Sequence, residues 1–306
     1  MKALGAIAVC LCAAGVLAGQ ASAHAALVGA NPAPGLAIAK PPRAVRLFFD
    51  DAVTPSVAEV VRNGGGSVVA GHVSATSSGH RELVIPLRGA LRKGDYTVRW
   101  QVISDDGHRL GGVYAFAVGA AAARPVASLR PLATHPTPAD VGVRALLDLG
   151  ILATFGALGF RLAVWRPALQ RLGLPADDLK TLEERELRRT SVFVLCGCYA
   201  AIVGASLALV RTPAALPTRY GRMTELAIAA AGLGLACAFV ALRARTQWQS
   251  RLLVAAGIAA AALALVPSLS GHALDRTGAR PISFLADLVH VGAVALLTQL
   301  RPGRIG

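Results

Sequence analysis

From about residue 139 onward the chain carries five apolar stretches of membrane-crossing length, and nothing else constrains its fold as tightly. A hydrocarbon core about 30 Å thick takes about 20 apolar residues of helix. Backbone exposed to lipid finds no water to bond, so such stretches are expected to be helical. The expected spans are Val143–Trp165, Ser191–Val210, Thr224–Leu242, Leu252–Ser270 and Ile282–Leu300. They also account for the net charge of +14, which in another chain would point toward nucleic acid. Arg166, Arg185, Arg188, Arg189, Arg243, Arg245, Arg251, Arg301 and Arg304 flank the apolar stretches, so they read as orientation signals and no nucleic-acid partner is expected.

The other end of the chain is organised differently. Lys2, the apolar run Ala3 to Leu17 and Ala21-Ser22-Ala23 have the charged, apolar and small-residue regions of a secretory signal peptide over residues 1–23. Cleavage after Ala23 leaves His24 as the mature N-terminus. Residues 24–119 then mix polar, Gly and Pro residues with short apolar runs, as an exported domain does. A Pro/Ala-rich linker without amphipathic period covers 120–139, and 140–306 forms the membrane part. With the first domain outside the plasma membrane, the connectors 166–190, 243–251 and 301–306 fall in the cytoplasm, in keeping with their arginines.

Within the exported domain the apolar residues alternate. Tyr96, Val98, Trp100 and Val102 share one face of a strand, with Thr97, Arg99 and Gln101 on the other. Similar runs are Val45–Phe49, Val57–Val61, Ser67–Val73, Glu82–Leu87 and Val113–Val118, separated by Gly, Pro, Asn and Ser turns. Six or seven such strands predict an antiparallel Greek-key β-sandwich. No cysteine lies in it, so no disulfide supports the core. Cys196 and Cys198, two apart in an apolar stretch, point to different helix faces and read as buried structural residues rather than a Cu(I) site.

A histidine at a free N-terminus offers two nitrogens, its α-amine and its ring. Ser104-Asp105-Asp106-Gly107-His108 can add a second imidazole and a carboxylate. Such a nitrogen- and oxygen-rich set suits tetragonal Cu(II). In an extended segment Asp106 and His108 project to one side, and Gly107 leaves room between them. The competing reading is an exposed Asp-Gly turn with a solvated histidine. Asp105 is either a hydrogen-bond partner of a ligating imidazole or a solvated loop residue.

His24-Ala25-Ala26-Leu27, Asn31-Pro32-Ala33-Pro34-Gly35, Val45 to Phe49, Gly94 to Trp100, Ser104 to His108 and Gly112 to Val118 together resemble a CopC copper-binding domain. The resemblance implies a cupredoxin-like β-fold outside the membrane that binds Cu(II) through His24 (amine and ring), Asp106 and His108. Some members carry a methionine-rich loop for Cu(I). Here the two methionines are Met1 and Met223, neither in this domain, so Cu(II) alone is expected and His72 and His80 read as surface residues.

In the membrane part, ionisable residues stand out because burying them in lipid costs about 2.5–3.5 kcal/mol on insertion scales. They are Asp148 in the first span and Asp287 and His290 in the last; His272 ends the fourth span and His135 lies on the linker. Asp287 and His290 share a helix face. Asp148 reads equally as an interhelical hydrogen bond or a transport residue. Ser270-Gly271-His272-Ala273 followed by Leu285-Ala286-Asp287-Leu288-Val289-His290 resembles the CopD family. That implies copper passage across the plasma membrane, with His272, Asp287 and His290 as transport residues. CopD-type regions usually have more spans, so the membrane part is expected to be a reduced form, to be completed by a partner copper-transport subunit, or mainly to anchor the copper domain.

The expected function is therefore non-enzymatic copper handling in transport or resistance. Two alternatives remain at this point. An N-terminal histidine with a second histidine also forms the copper brace of oxidative enzymes, and a membrane-anchored sandwich can serve interaction alone.

Overall fold

The computed structural model describes residues 25–76, 79–119, 127–244 and 246–270. The signal segment with His24, and the expected fifth span with His272, Asp287 and His290, lie outside the described residues. The described chain forms two compact units. One comprises the residues up to Ala139 together with Leu209–Arg222; the other comprises Asp140–Ala208 and the residues from Met223.

The first unit is built on eight strands: β1 (Leu27–Asn31), β2 (Ala37–Ile38), β3 (Ala44–Phe49), β4 (Val53–Arg62), β5 (Ser74–Thr76), β6 (Glu82–Pro86), β7 (Gly94–Ser104) and β8 (Arg109–Val118). They make two four-stranded sheets, ordered β1-β3-β6-β5 and β2-β8-β7-β4. The expected alternation holds along β3, where Val45, Leu47 and Phe49 are buried while Arg46 and Phe48 face out. It holds along β7 too, where Tyr96, Val98, Trp100 and Val102 are buried. These residues join Leu83, Ile85, Tyr114 and Phe116 in a single core drawn from both sheets. Tyr96 stacks on Phe116 with ring centroids 5.4 Å apart, and Phe49 meets Trp100 edge-on at 5.4 Å.

Three expectations need correction. The sheets are not wholly antiparallel, because β2 pairs with β8 in parallel. The run Ser67–Val73 makes only isolated bridges, Val61 to Ser67 and Val69 to Leu87. Gly71 (φ +70°) turns the chain out of the extended conformation, and regular pairing resumes only at β5. The third concerns the outer face of β7. Ser128 donates its N–H to Thr97 Oγ1 (2.8 Å) and Gln101 Nε2 donates to Ala133 O (3.0 Å), so the linker covers the outer face of β7. Thr97, expected on the solvent side, is buried as a result.

The second unit is helical. Helix α1 (Pro138–Phe160) continues through a π-helical turn at Arg161–Trp165 into α2 (Arg166–Arg171). Then follow α3 (Ala176–Arg211), α4 (Arg219–Ala241) and α5 (Thr246–Ser270). Among the described residues four helical segments, Pro138–Arg171, Ala176–Arg211, Arg219–Ala241 and Trp248–Ser270, are long and apolar enough to cross a membrane. Much of the connector expected at 166–190 is helical, because α3 begins at Ala176, well before its apolar stretch.

Helices α1 and α3 approach closely at small residues. A Cβ added to Gly150 would lie 2.5 Å from Ala201 N, one at Gly197 2.5 Å from Thr154 Oγ1, and one at Gly204 2.6 Å from Leu147 N. This is small-residue packing of the kind that joins helices in lipid. Cys198 packs in the same seam, 3.7 Å from Thr154 Oγ1, while Cys196 is exposed. The two thiols thus lie on different faces, as their spacing on a helix requires, and Cys196, expected to be buried, is not. Asp148 pairs with Arg144 one turn away on its own helix, Nε to Oδ2 3.2 Å.

Candidate metal centre

Strands β7 and β8 pair in register from Gly94 opposite Val118 to Ile103 opposite Arg109, and the chain reverses between them at Ser104–His108. The reversal is closed by two backbone bonds, Ser104 N–H to His108 O and Gly107 N–H to Ser104 O, both 2.9 Å. Gly107 sits at φ +88°, where an L-residue is strained. The sequence expectation placed Asp106 and His108 side by side on an extended segment. The structure brings them together through this tight turn instead.

His108 Nδ1 lies 3.0 Å from Asp106 Oδ2. The ring is half-exposed, while the Asp106 side chain is 2% exposed. On its other oxygen Asp106 accepts the Ser104 hydroxyl and the His108 backbone N–H. Burial alone would raise the Asp106 carboxyl. The hydrogen bonds from His108 and Ser104 and the nearby His108 charge outweigh it and hold the carboxyl well below the usual carboxylate range. At neutral pH the pair therefore offers an anionic oxygen beside an imidazole open to the surface.

Asp105 is partly exposed and bonds to segment 209–222. Its Oδ1 accepts the Arg219 backbone N–H at 2.7 Å, its Oδ2 lies 3.7 Å from Arg219 Nε, and its carbonyl accepts the Tyr220 N–H at 3.0 Å. The Tyr220 ring covers Gly107 so closely that a Cβ there would lie 2.6 Å from Tyr220 Cγ. Segment 209–222 thus packs on the turn that carries Asp106 and His108. Sequence reasoning missed it, since no pattern in Leu209–Arg222 signals a contact more than 100 residues away. Ser104 was quoted in the motif, but its role as a donor to Asp106 emerges only from the fold.

The start of the described chain reaches the same end of the domain. Ala26 N–H donates to Asp50 Oδ1 at 2.6 Å, and Leu27 pairs with Phe49. A few residues on, Val53 pairs with Ser104. His72 and His80 are exposed, as expected; together with Asp105, Pro217 and Thr218 they line a cleft of about 290 Å³. Among the described residues no group of three or more His, Cys, Asp and Glu side chains could by itself hold a metal ion.

The CopC domain profile matches residues 27–119. Over 98 residues the chain is 32% identical to Protein YobA of Escherichia coli (strain K12), covering 31% of this chain and 79% of YobA. The chain belongs to the CopC family. Its match to Protein YobA of Shigella flexneri has the same identity and coverage. Among solved structures it is similar to CopC from Methylosinus trichosporium OB3b, with 33% identity, 31% of this chain and 93% of that chain covered, and a TM-score of 0.29. PcoC, a methionine-rich copper resistance protein from Escherichia coli, matches with 27% identity, 31% and 98% coverage and a TM-score of 0.28. Unlike a methionine-rich protein, the CopC domain here has no methionine between residues 24 and 119.

Proposed function

We propose that this CopC-family protein is a non-enzymatic copper handler, in which the exported domain captures Cu(II) as cargo and passes it to the membrane helices for transport or resistance. The observation that carries this reading is the Asp106–His108 pair, held at the end of the domain where the chain begins. In the proposed site, His24 contributes amine and ring nitrogens after cleavage behind Ala23, and His108 and Asp106 complete the set. The donors are nitrogen and oxygen only, which favours Cu(II) over Cu(I).

The membrane region is proposed to act as a CopD-like acceptor, with His272, Asp287 and His290 receiving copper at the outer face of the plasma membrane. The arginine-rich connectors would then face the cytoplasm. A further membrane subunit is the partner expected if the reduced region does not conduct alone.

Three measurements test the proposal. Mass spectrometry of the mature N-terminus should find His24, and Cu(II) titration should show one site that His24→Ala and His108→Ala each weaken by about tenfold or more. Unchanged copper accumulation in cells lacking the protein would remove the transport half and leave capture standing.

A further inference from the structure

The helical unit holds a cavity of about 430 Å³ between the end of α1 with its π-helical turn and the first half of α5. One end is charged. Arg161 and Arg166 line it, with Ser250 from the first turns of α5. The rest is apolar, walled by Phe155 and Leu158 on one side and Leu253 and Ile258 on the other. Arg161 is 6% exposed, yet among the described residues its Nη1 has no hydrogen-bond partner. Arg166 repels it, while Glu186 and Glu183 attract it without bonding that nitrogen. A buried unsatisfied donor costs about 1–3 kcal/mol, more when charged.

The dimensions define what fits. Arg161 lies 23 residues beyond Pro138, which opens α1, or roughly 34 Å along the helix. That distance sets it near the far boundary of a hydrocarbon core about 30 Å thick. From Ser250 to Ala261 the α5 wall runs roughly 16 Å toward the membrane centre, about the depth of one leaflet. A π-helical turn in this position breaks the regular ladder and is frequent at functional sites.

We infer that this cavity is a binding site for one anionic phospholipid, its phosphate bonded by Arg161 and Arg166 and an acyl chain lying between α1 and α5. A phosphate satisfies the buried guanidinium with charge-assisted bonds; a zwitterionic phospholipid carries the same phosphate but adds a cation that Arg161 and Arg166 repel, so a headgroup of net negative charge is favoured. Under the orientation proposed above, the site faces the cytoplasmic leaflet, where anionic lipids attract basic residues. Binding itself does not depend on that orientation or on copper.

The test uses the full-length protein in nanodiscs holding equal amounts of phosphatidylglycerol and phosphatidylcholine, with retained lipid counted by native mass spectrometry. Wild type should keep one phosphatidylglycerol in preference to phosphatidylcholine by about tenfold, the choline cation being repelled by the two arginines. Arg161→Gln should abolish the preference. Ile258→Trp, which fills the apolar half and leaves the arginine in place, should do the same and decides the matter if Arg161→Gln fails to fold. Equal retention of both lipids by wild type, or an undiminished preference in either folded variant, overturns the assignment. Displacement of the lipid by excess inorganic phosphate would overturn it too, since a headgroup-sized anion site needs no acyl groove. Cu(II) titration of the same samples should be unchanged, which keeps failure of this site distinct from failure of the copper reading.

Discussion

Asp106 is a buried carboxylate whose value lies in its charge. Its folded pKa is depressed, so it contributes stability above the ordinary unfolded value of about 3.9 and loses that contribution as pH falls through the folded value. Asp106→Asn should therefore destabilise the metal-free protein by about 1–3 kcal/mol at neutral pH. Urea denaturation of wild type and variant should show that gap closing in strong acid; a gap constant with pH would assign the effect to shape and not to charge. Gly107 makes a second residue-scale prediction. Gly107→Ala should cost about 1–2 kcal/mol from its left-handed backbone alone. In the full chain the new Cβ also meets the Tyr220 ring, so thermal denaturation should show a larger loss for Gly107→Ala than for Gly107→Ala combined with Tyr220→Ala.

At the scale of elements, what was legible in the sequence follows from what alternation can report. Leu47 and Leu83 are wholly buried because period-two patterning turns them toward the facing sheet. Leu47→Ala or Leu83→Ala should cost about 2–5 kcal/mol in chemical denaturation of the β-domain. Patterning could not report β2, which is two residues long and pairs in parallel with β8 through the turn after Pro32. Nor could it separate Ser67–Val73 from a true strand, since Gly71 breaks that run by backbone geometry and not by polarity. The burial of Thr97 escaped for a related reason, as its cover comes from the linker residue Ser128. In the helices, composition marked the spans but not their partners; the seam of Gly150, Gly197 and Gly204 is visible only once α1 and α3 lie together. Gly197→Leu should force those helices apart, read as loss of the monodisperse protein in detergent chromatography, whereas the exposed Val192→Leu on the same helix should leave it intact.

For the whole molecule, the proposed copper site joins pieces from the two ends of one β-domain, so its completion depends on how the chain is processed. Asp106 and His108 are prearranged by Ser104 and the β7–β8 turn, and they do not require the N-terminus for their geometry. Capture of Cu(II) does, because two oxygen- or nitrogen-bearing side chains alone make a weak, incomplete tetragonal set. Blocking signal cleavage by Ala23→Phe should thus leave the β-domain folded while removing the α-amine from the site. The expected result is a fall in Cu(II) affinity of tenfold or more, equivalent to at least about 1.4 kcal/mol, with unchanged denaturation of the metal-free protein. His24→Ala in the cleaved protein keeps the amine but loses the ring, and should weaken binding comparably. Unchanged affinity in the uncleaved variant would show that the amine is no ligand, and would shift the site to the histidines and Asp106 alone.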